Sequence, residues 1–193
     1  MLPAMPPPKE VEIKFALDDL PAIERKLRAL GFRRQTPRTR EINTLYDLPG
    51  AALRQRGQLL RLRKYGKAWK LTHKAPGEAG RHKSRVETET AVENGERMHG
   101  ILTALGFVPC FRYEKFRTEW SGGGGHVVLD ETPIGNYGEI EGPPRWIDRT
   151  ARALGIAPSH YITDSYAQLF TDWKTRTGSP AEEMTFEAAG RKK

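Results

Sequence analysis

The chain of 193 residues is long enough for one domain with a proper core. A hydrophobic fraction of 37%, a charged fraction of 29% and a mean hydropathy of −0.65 suit a soluble protein, and no apolar run approaches the roughly 20 residues of a membrane span. Net charge of +8 and a pI near 9.7 favour polyanionic partners, while the single Cys110 excludes an intrachain disulfide and argues against a thiolate metal cage.

The opening MLPAMPPP lacks the basic start and apolar middle of a secretory signal; residues 1–8 are expected to form a loose Pro-rich leader, with the cytoplasm as default compartment. In KEVEIKF, Glu10, Glu12 and Lys14 alternate with Val11, Ile13 and Phe15, a strand with one charged and one apolar face. LDDLPAIERKLRALGF follows as a helix: Asp18 or Asp19 caps it, Pro21 suits its first turn, Ile23, Leu27 and Leu30 form its stripe, and Gly31 stops it. REINTLYDL is strand-like, and a polar-apolar mixture then leads to a turn near Gly57. QLLRLRKY, KAWKLTHKA and HKSRVETETAV are further strands, and NGERMHGILTALGF is a second helix with Met98, Ile101, Leu102 and Leu105 on one face.

The second half repeats this order with YEKFRTEW, HVVLDET and YGEIEG. The intervening SGGGG reads as a hairpin turn, since no Lys-Ser or Lys-Thr follows as a nucleotide-binding loop requires. Helices return in WIDRTARALGI and SYAQLFTDWKTR. Residues 9–176 are read as a single domain and residues 177–193 as a mobile tail.

Charged rows recur on nearly every strand. Arg61 and Arg63 share a face against Leu60 and Leu62; Lys70, Thr72 and Lys74 do the same; Arg85, Glu87 and Glu89 line up; Lys115, Arg117 and Glu119 oppose Phe116 and Trp120; Asp130 joins Val128; Glu139 and Glu141 flank Ile140. Any one row is explained by a sheet face turned to water. Together they favour Arg and paired carboxylates, and carboxylates close in space repel unless a cation lies between them. Oxygen donors suit hard divalent ions such as Mg²⁺ or Mn²⁺, and guanidinium suits phosphate oxygens, so a sheet closed into a barrel would gather a receptor for metal and polyphosphate.

EVEIK, LRLR, KLTHKAP, SRVETE, EKFRTEW, VVLDETPIGNYGEIEG and DSYAQLF, in that order over residues 9 to 172, resemble the CYTH superfamily, the triphosphate tunnel metalloenzymes. The resemblance implies an α+β fold: an eight-stranded antiparallel β-barrel, or tunnel, with a charged lumen and helices outside. It implies that Glu10, Glu12, Glu139 and Glu141 hold metal, that Asp130 joins them or positions water, and that Glu10, Glu12, Asp130 and Glu139 serve catalysis. Lys14, Arg61, Arg63, Lys74, Arg85, Lys115 and Arg117 look like phosphate ligands, and the duty of Glu87 and Glu89 stays open. His73 and Ala75 depart from the family's usual apolar residue and Gly, and Lys174 aligns only loosely with a phosphate-binding Lys.

The expected activity is metal-dependent hydrolysis of a small triphosphate, whether inorganic triphosphate, thiamine triphosphate or a nucleoside triphosphate, with Mg²⁺ or Mn²⁺. Conversion of ATP to cyclic AMP is the near rival; no residue set marks an adenine pocket, which favours hydrolysis. A non-catalytic RNA-binding barrel, with Tyr65, Trp69 and Trp120 stacking bases, is the lesser alternative, opposed by the acid pairs. A monomer or homodimer is expected, with neither membrane nor nucleic acid as partner. The five histidines show no metal-ligand spacing, and Tyr166 is read as a packing residue.

Overall fold

The computed structural model describes residues 9–191 apart from residue 79; the leader expected over residues 1–8 lies outside the described residues. Eight strands follow in chain order: β1 (Lys9–Leu17), β2 (Arg33–Asp47), β3 (Leu59–Tyr65), β4 (Ala68–Lys74), β5 (Lys83–Val92), β6 (Val108–Gly122), β7 (Gly125–Thr132) and β8 (Gly135–Glu141). All pairs are antiparallel, and the order β1-β5-β4-β3-β2-β6-β7-β8 closes on itself through β8 and β1. Closure leaves the barrel without an open edge. The expected α+β fold with an eight-stranded antiparallel barrel is the observed one.

The helices are α1 (Leu20–Ala29), α2 (Ala52–Gln55), α3 (Gly95–Ala104), α4 (Pro144–Leu154) and α5 (Tyr166–Thr177). Asp19 caps α1 by accepting from the Ala22 amide at 2.8 Å, with Pro21 in the first turn. Asn94 and Ser165 cap α3 and α5 in the same way.

The apolar faces of the strands point outward. Ile13 and Phe15 of β1, Trp120, Val127, Leu129 and Ile140 pack beneath Ile23 and Leu27 of α1 and Trp146, Ile147, Ala151 and Leu154 of α4. On another side Leu62 and Tyr46, with Trp69, Leu71 and Val92, lie beneath Leu102 and Met98 of α3. Each such side chain gains about 1.5–3 kcal/mol when fully buried, so these two seams hold the strands together from outside the barrel, with a third cluster of Tyr113, Ile134, Tyr166, Phe170 and Met184 around α5. The contacts are close: a methyl group at Gly95 would stand 2.1 Å from the Trp69 ring, and one at Gly138 would stand 2.2 Å from Phe15. Neither site has room for a side chain.

Three segments differ from their sequence reading. Strand β2 starts at Arg33 rather than near Arg40, because its polar first half carries no apolar alternation; pairing with β6 holds it, through register shifts flanking Thr36. The mixture before Gly57 contains the one-turn α2. The tail expected to be mobile docks instead: Met184 accepts from the Glu114 amide and donates to the Arg112 carbonyl, and Met184 and Phe186 are buried. Two apolar residues at strand spacing sufficed, hidden in a segment otherwise small and charged.

Candidate active site

With the apolar faces outside, alternate side chains line a cavity of about 800 Å³. Strand β1 contributes Glu10, Glu12 and Lys14; β3 contributes Arg61 and Arg63; β4 contributes Lys74; β5 contributes Arg85, Glu87 and Glu89. From β6 come Lys115, Arg117 and Glu119, and from β8 Glu139 and Glu141. Of the residues that the sequence singled out as ligands, Asp130 alone does not line the cavity; its side chain is fully buried behind the wall.

Asp130 is saturated. Its Oδ1 accepts from Arg117 Nε at 2.7 Å, and its Oδ2 accepts from Lys115 at 2.8 Å, from Arg117 Nη2 at 2.6 Å and from the Tyr166 hydroxyl at 2.7 Å. A carboxylate so enclosed orients two bases and has no face left for metal or water, which corrects the expected role of Asp130. Tyr166 is likewise more than packing: the ring lies 4.7 Å from both the Lys14 and Lys115 ammonium groups, within cation–π range.

A second buried carboxylate shares this wall. Glu41 of β2 is fully enclosed; its carboxylate lies 3.5 Å from Lys115 Nζ, 3.7 Å from Arg63 and 4.0 Å from Arg117, and Asn43 donates to it at 2.9 Å. Burial alone would push its proton affinity up, but Lys115, Arg117, Arg63 and Arg61 together hold it down at about 2.

The opposite wall is acidic. Antiparallel register sets Glu12 against Glu141 and Lys14 against Glu139, and Lys14 reaches Glu139 at 2.8 Å. Lys74 bonds Glu10 at 2.6 Å and Lys83 approaches Glu12 at 3.1 Å. Glu141 has no ion-pair partner among the described residues. Burial, then the charges of Glu10, Glu12 and Glu139, push its proton affinity up to about 7. Burial and contact with Glu87 raise Glu10 as well, against the pull of Lys74.

The buried Nε–H groups of Arg61 and Arg63 on the basic side, and of Arg85, which stands in register beside Glu10, have no acceptor. A buried donor left unpaired costs about 1–3 kcal/mol, which an entering anion would recover. For a divalent cation the donor chemistry fits, since Glu10, Glu12 and Glu141 are hard oxygen ligands, and the charges of Glu10 and Glu12 help to raise the proton affinity of Glu141. Among the described residues no three acid, His or Cys groups already stand as a finished cage, and Lys74 and Lys83 occupy the places of cations.

Sequence reading missed Glu41 and Lys83. Glu41-x-Asn43 in REINTLYDL has the two-residue period of the other rows, so the signal for Glu41 was present, with a single acid rather than a pair. Lys174 does not line the cavity and lies over Phe170 instead. His126 lines the mouth opposite Glu141 in register, whereas His82 bonds Asp148 of α4 at 2.9 Å outside.

The sequence profile of the CYTH domain matches residues 8–145. The chain belongs to the CYTH domain family. It is 29% identical over 171 residues to a candidate adenylate cyclase of Methanocaldococcus jannaschii, covering 83% of this chain and 97% of that one. Among solved structures it is similar to a candidate adenylate cyclase of Vibrio parahaemolyticus, with TM-score 0.75, 20% identity and coverage of 84% and 97%. A candidate adenylyl cyclase of Hippeastrum, described as having a dominant triphosphatase activity, is similar with TM-score 0.63, 20% identity and coverage of 84% and 95%.

Proposed function

We propose that this CYTH-family protein hydrolyses a small triphosphate bound in the barrel together with a divalent cation, Mg²⁺ or Mn²⁺. One observation carries the proposal: a single 800 Å³ cavity brings arginine Nε–H groups without acceptors and mutually repelling carboxylates to the same lumen. A chain of phosphates with its counter-cation satisfies both.

In this reading Arg61, Arg63 and Arg85 donate to phosphoryl oxygens, and Lys115 and Arg117, held by Asp130, are preorganised to neutralise the charge that spreads over them in the transition state. Lys14 and Lys74 complete the grip. Glu10, Glu12, Glu139 and Glu141 would hold the cation, which when bound draws charge from phosphoryl oxygens and makes a water a better nucleophile. Tyr166 fixes Asp130 and so stiffens the basic wall.

Cyclisation of ATP is the second reading, favoured by the names of the M. jannaschii and V. parahaemolyticus relatives. Against it, the cavity offers Leu59 and Val128, Tyr113 and Tyr166 are already engaged with each other, and the small His126 ring at the mouth is the remaining aromatic group among the described lining residues. RNA binding is weaker still, because Trp69 and Trp120 pack outward beneath helices.

The test is a product-resolved assay with tripolyphosphate, thiamine triphosphate and ATP, with Mg²⁺, with Mn²⁺ and with chelator. Orthophosphate release that the chelator abolishes is expected; cyclic AMP as the chief product would replace hydrolysis with cyclisation.

A further inference from the structure

Glu41 has no place in the roles assigned so far. It does not line the cavity, yet its carboxylate faces three bases that do, at 3.5 Å from Lys115, 3.7 Å from Arg63 and 4.0 Å from Arg117. Asn43, also fully buried, donates to Oε1 and fixes the carboxylate in place. Oε2 has no hydrogen-bond donor within range, so its attraction to the bases is long-range and unsatisfied. A carboxylate kept for folding alone would be expected to close these gaps as Asp130 does, with four bonds of 2.6–2.8 Å to its neighbours. Glu41 instead stands back from the same bases.

We propose that Glu41 is a positioning residue, a resident anion behind the lumen wall that keeps Lys115, Arg63 and Arg117 apart and oriented while competing with substrate phosphate for their charge. It acts through those bases and touches no substrate atom. This rests on triphosphate entering the lumen, as proposed above. With the bases held by an anion already present, an arriving phosphate chain meets donors in working positions and a field partly cancelled, so binding stays loose enough for turnover. Taking the charge away strengthens the field and loosens the geometry. Affinity and turnover then move in opposite directions, which a purely structural carboxylate would not produce.

The experiment compares wild type, Glu41→Gln and Glu41→Asp. Gln keeps the amide-to-carbonyl bond from Asn43 while removing the charge. Tripolyphosphate binding is measured by calorimetry with chelator present, phosphate release is measured with Mg²⁺, and melting temperature is followed with and without tripolyphosphate. Expected are binding to Glu41→Gln about tenfold tighter than to wild type, kcat at least about tenfold lower, and near-wild-type values for Glu41→Asp. If Glu41→Gln is too unstable for calorimetry, the melting shift caused by tripolyphosphate must still exceed that of wild type. Binding that is equal or weaker in Glu41→Gln, or an unchanged kcat, overturns the proposal while leaving the triphosphate reading intact. Absence of tripolyphosphate binding to wild type with chelator and with Mg²⁺ alike overturns the triphosphate reading, and this inference with it.

Discussion

Glu41 and Glu141 are the same residue type in the same barrel, and their surroundings drive them apart. Glu41, enclosed by Lys115, Arg117, Arg63 and Arg61, is held at about 2; Glu141, beside Glu10, Glu12 and Glu139, is pushed up to about 7. Glu41 stands among bases, whereas Glu141, unlike Glu10, Glu12 and Glu139 beside it, has no ion-pair partner among the described residues. Composition does not distinguish the two, because what matters is which strands lie next to each other across the lumen.

The largest effect should come from breaking the basic wall. Arg117→Ala strands Asp130 and Glu139 without their shared partner, and loss of one member of a buried ion pair costs about 3–5 kcal/mol. Urea unfolding should register that loss, together with near-complete loss of phosphate release. Glu12→Gln, on the acidic wall, should do the opposite: turnover falls on the order of 10³-fold while the unfolding midpoint hardly moves, since relief of like-charge crowding offsets the lost contact with Lys83. Full metal-dependent activity in that variant would end the assignment of the acidic wall to metal.

The two glutamates should also give opposite pH slopes. Glu41 sits below its ordinary value of 4.5, so it binds fewer protons folded than unfolded; its stabilisation is present above pH 4.5 and is lost as pH falls towards 2. The stability difference between wild type and Glu41→Gln should therefore shrink by about 3 kcal/mol across that window, read from denaturant melts. Arg61→Ala, which removes a loosely paired donor, should raise the KM for tripolyphosphate about tenfold with little change in fold. The smallest effect belongs to Glu141. Its folded value lies above 4.5, so its contribution is most favourable below pH 4.5 and is lost as pH rises through about 7. Because Glu141 keeps contact with solvent although its carboxylate is partly desolvated in the cavity, screening leaves wild type to lose only about 1 kcal/mol relative to Glu141→Gln over that rise, and millimolar Mg²⁺ should flatten the difference. A slope that Mg²⁺ leaves unchanged would separate Glu141 from the metal.

The periodicity of EVEIK, LRLR and SRVETE was enough to separate two faces of each strand, since strand side chains alternate whatever the neighbours are. Caps and stripes likewise marked α1 and α3, and the resemblance supplied the inward sense of the charged face. The docked tail was illegible because two apolar residues in a small, charged segment give no periodic signal until a partner, here the β6 backbone at Arg112 and Glu114, is available. Asp130 illustrates the harder limit. Its position on the charged face was plain, but a charged face does not tell a cavity-lining carboxylate from one enclosed behind its neighbours.

What the sequence determined by itself is local: strand and helix, face and charge, and through their order the family and the barrel. Only the tertiary structure decided which acids meet bases and which meet other acids, because strands far apart in the chain are brought within ångströms, as when Glu12 meets Glu141 and Glu41 meets Lys115. Electrostatic energy depends on those distances and on the burial around them, and neither is written along the chain.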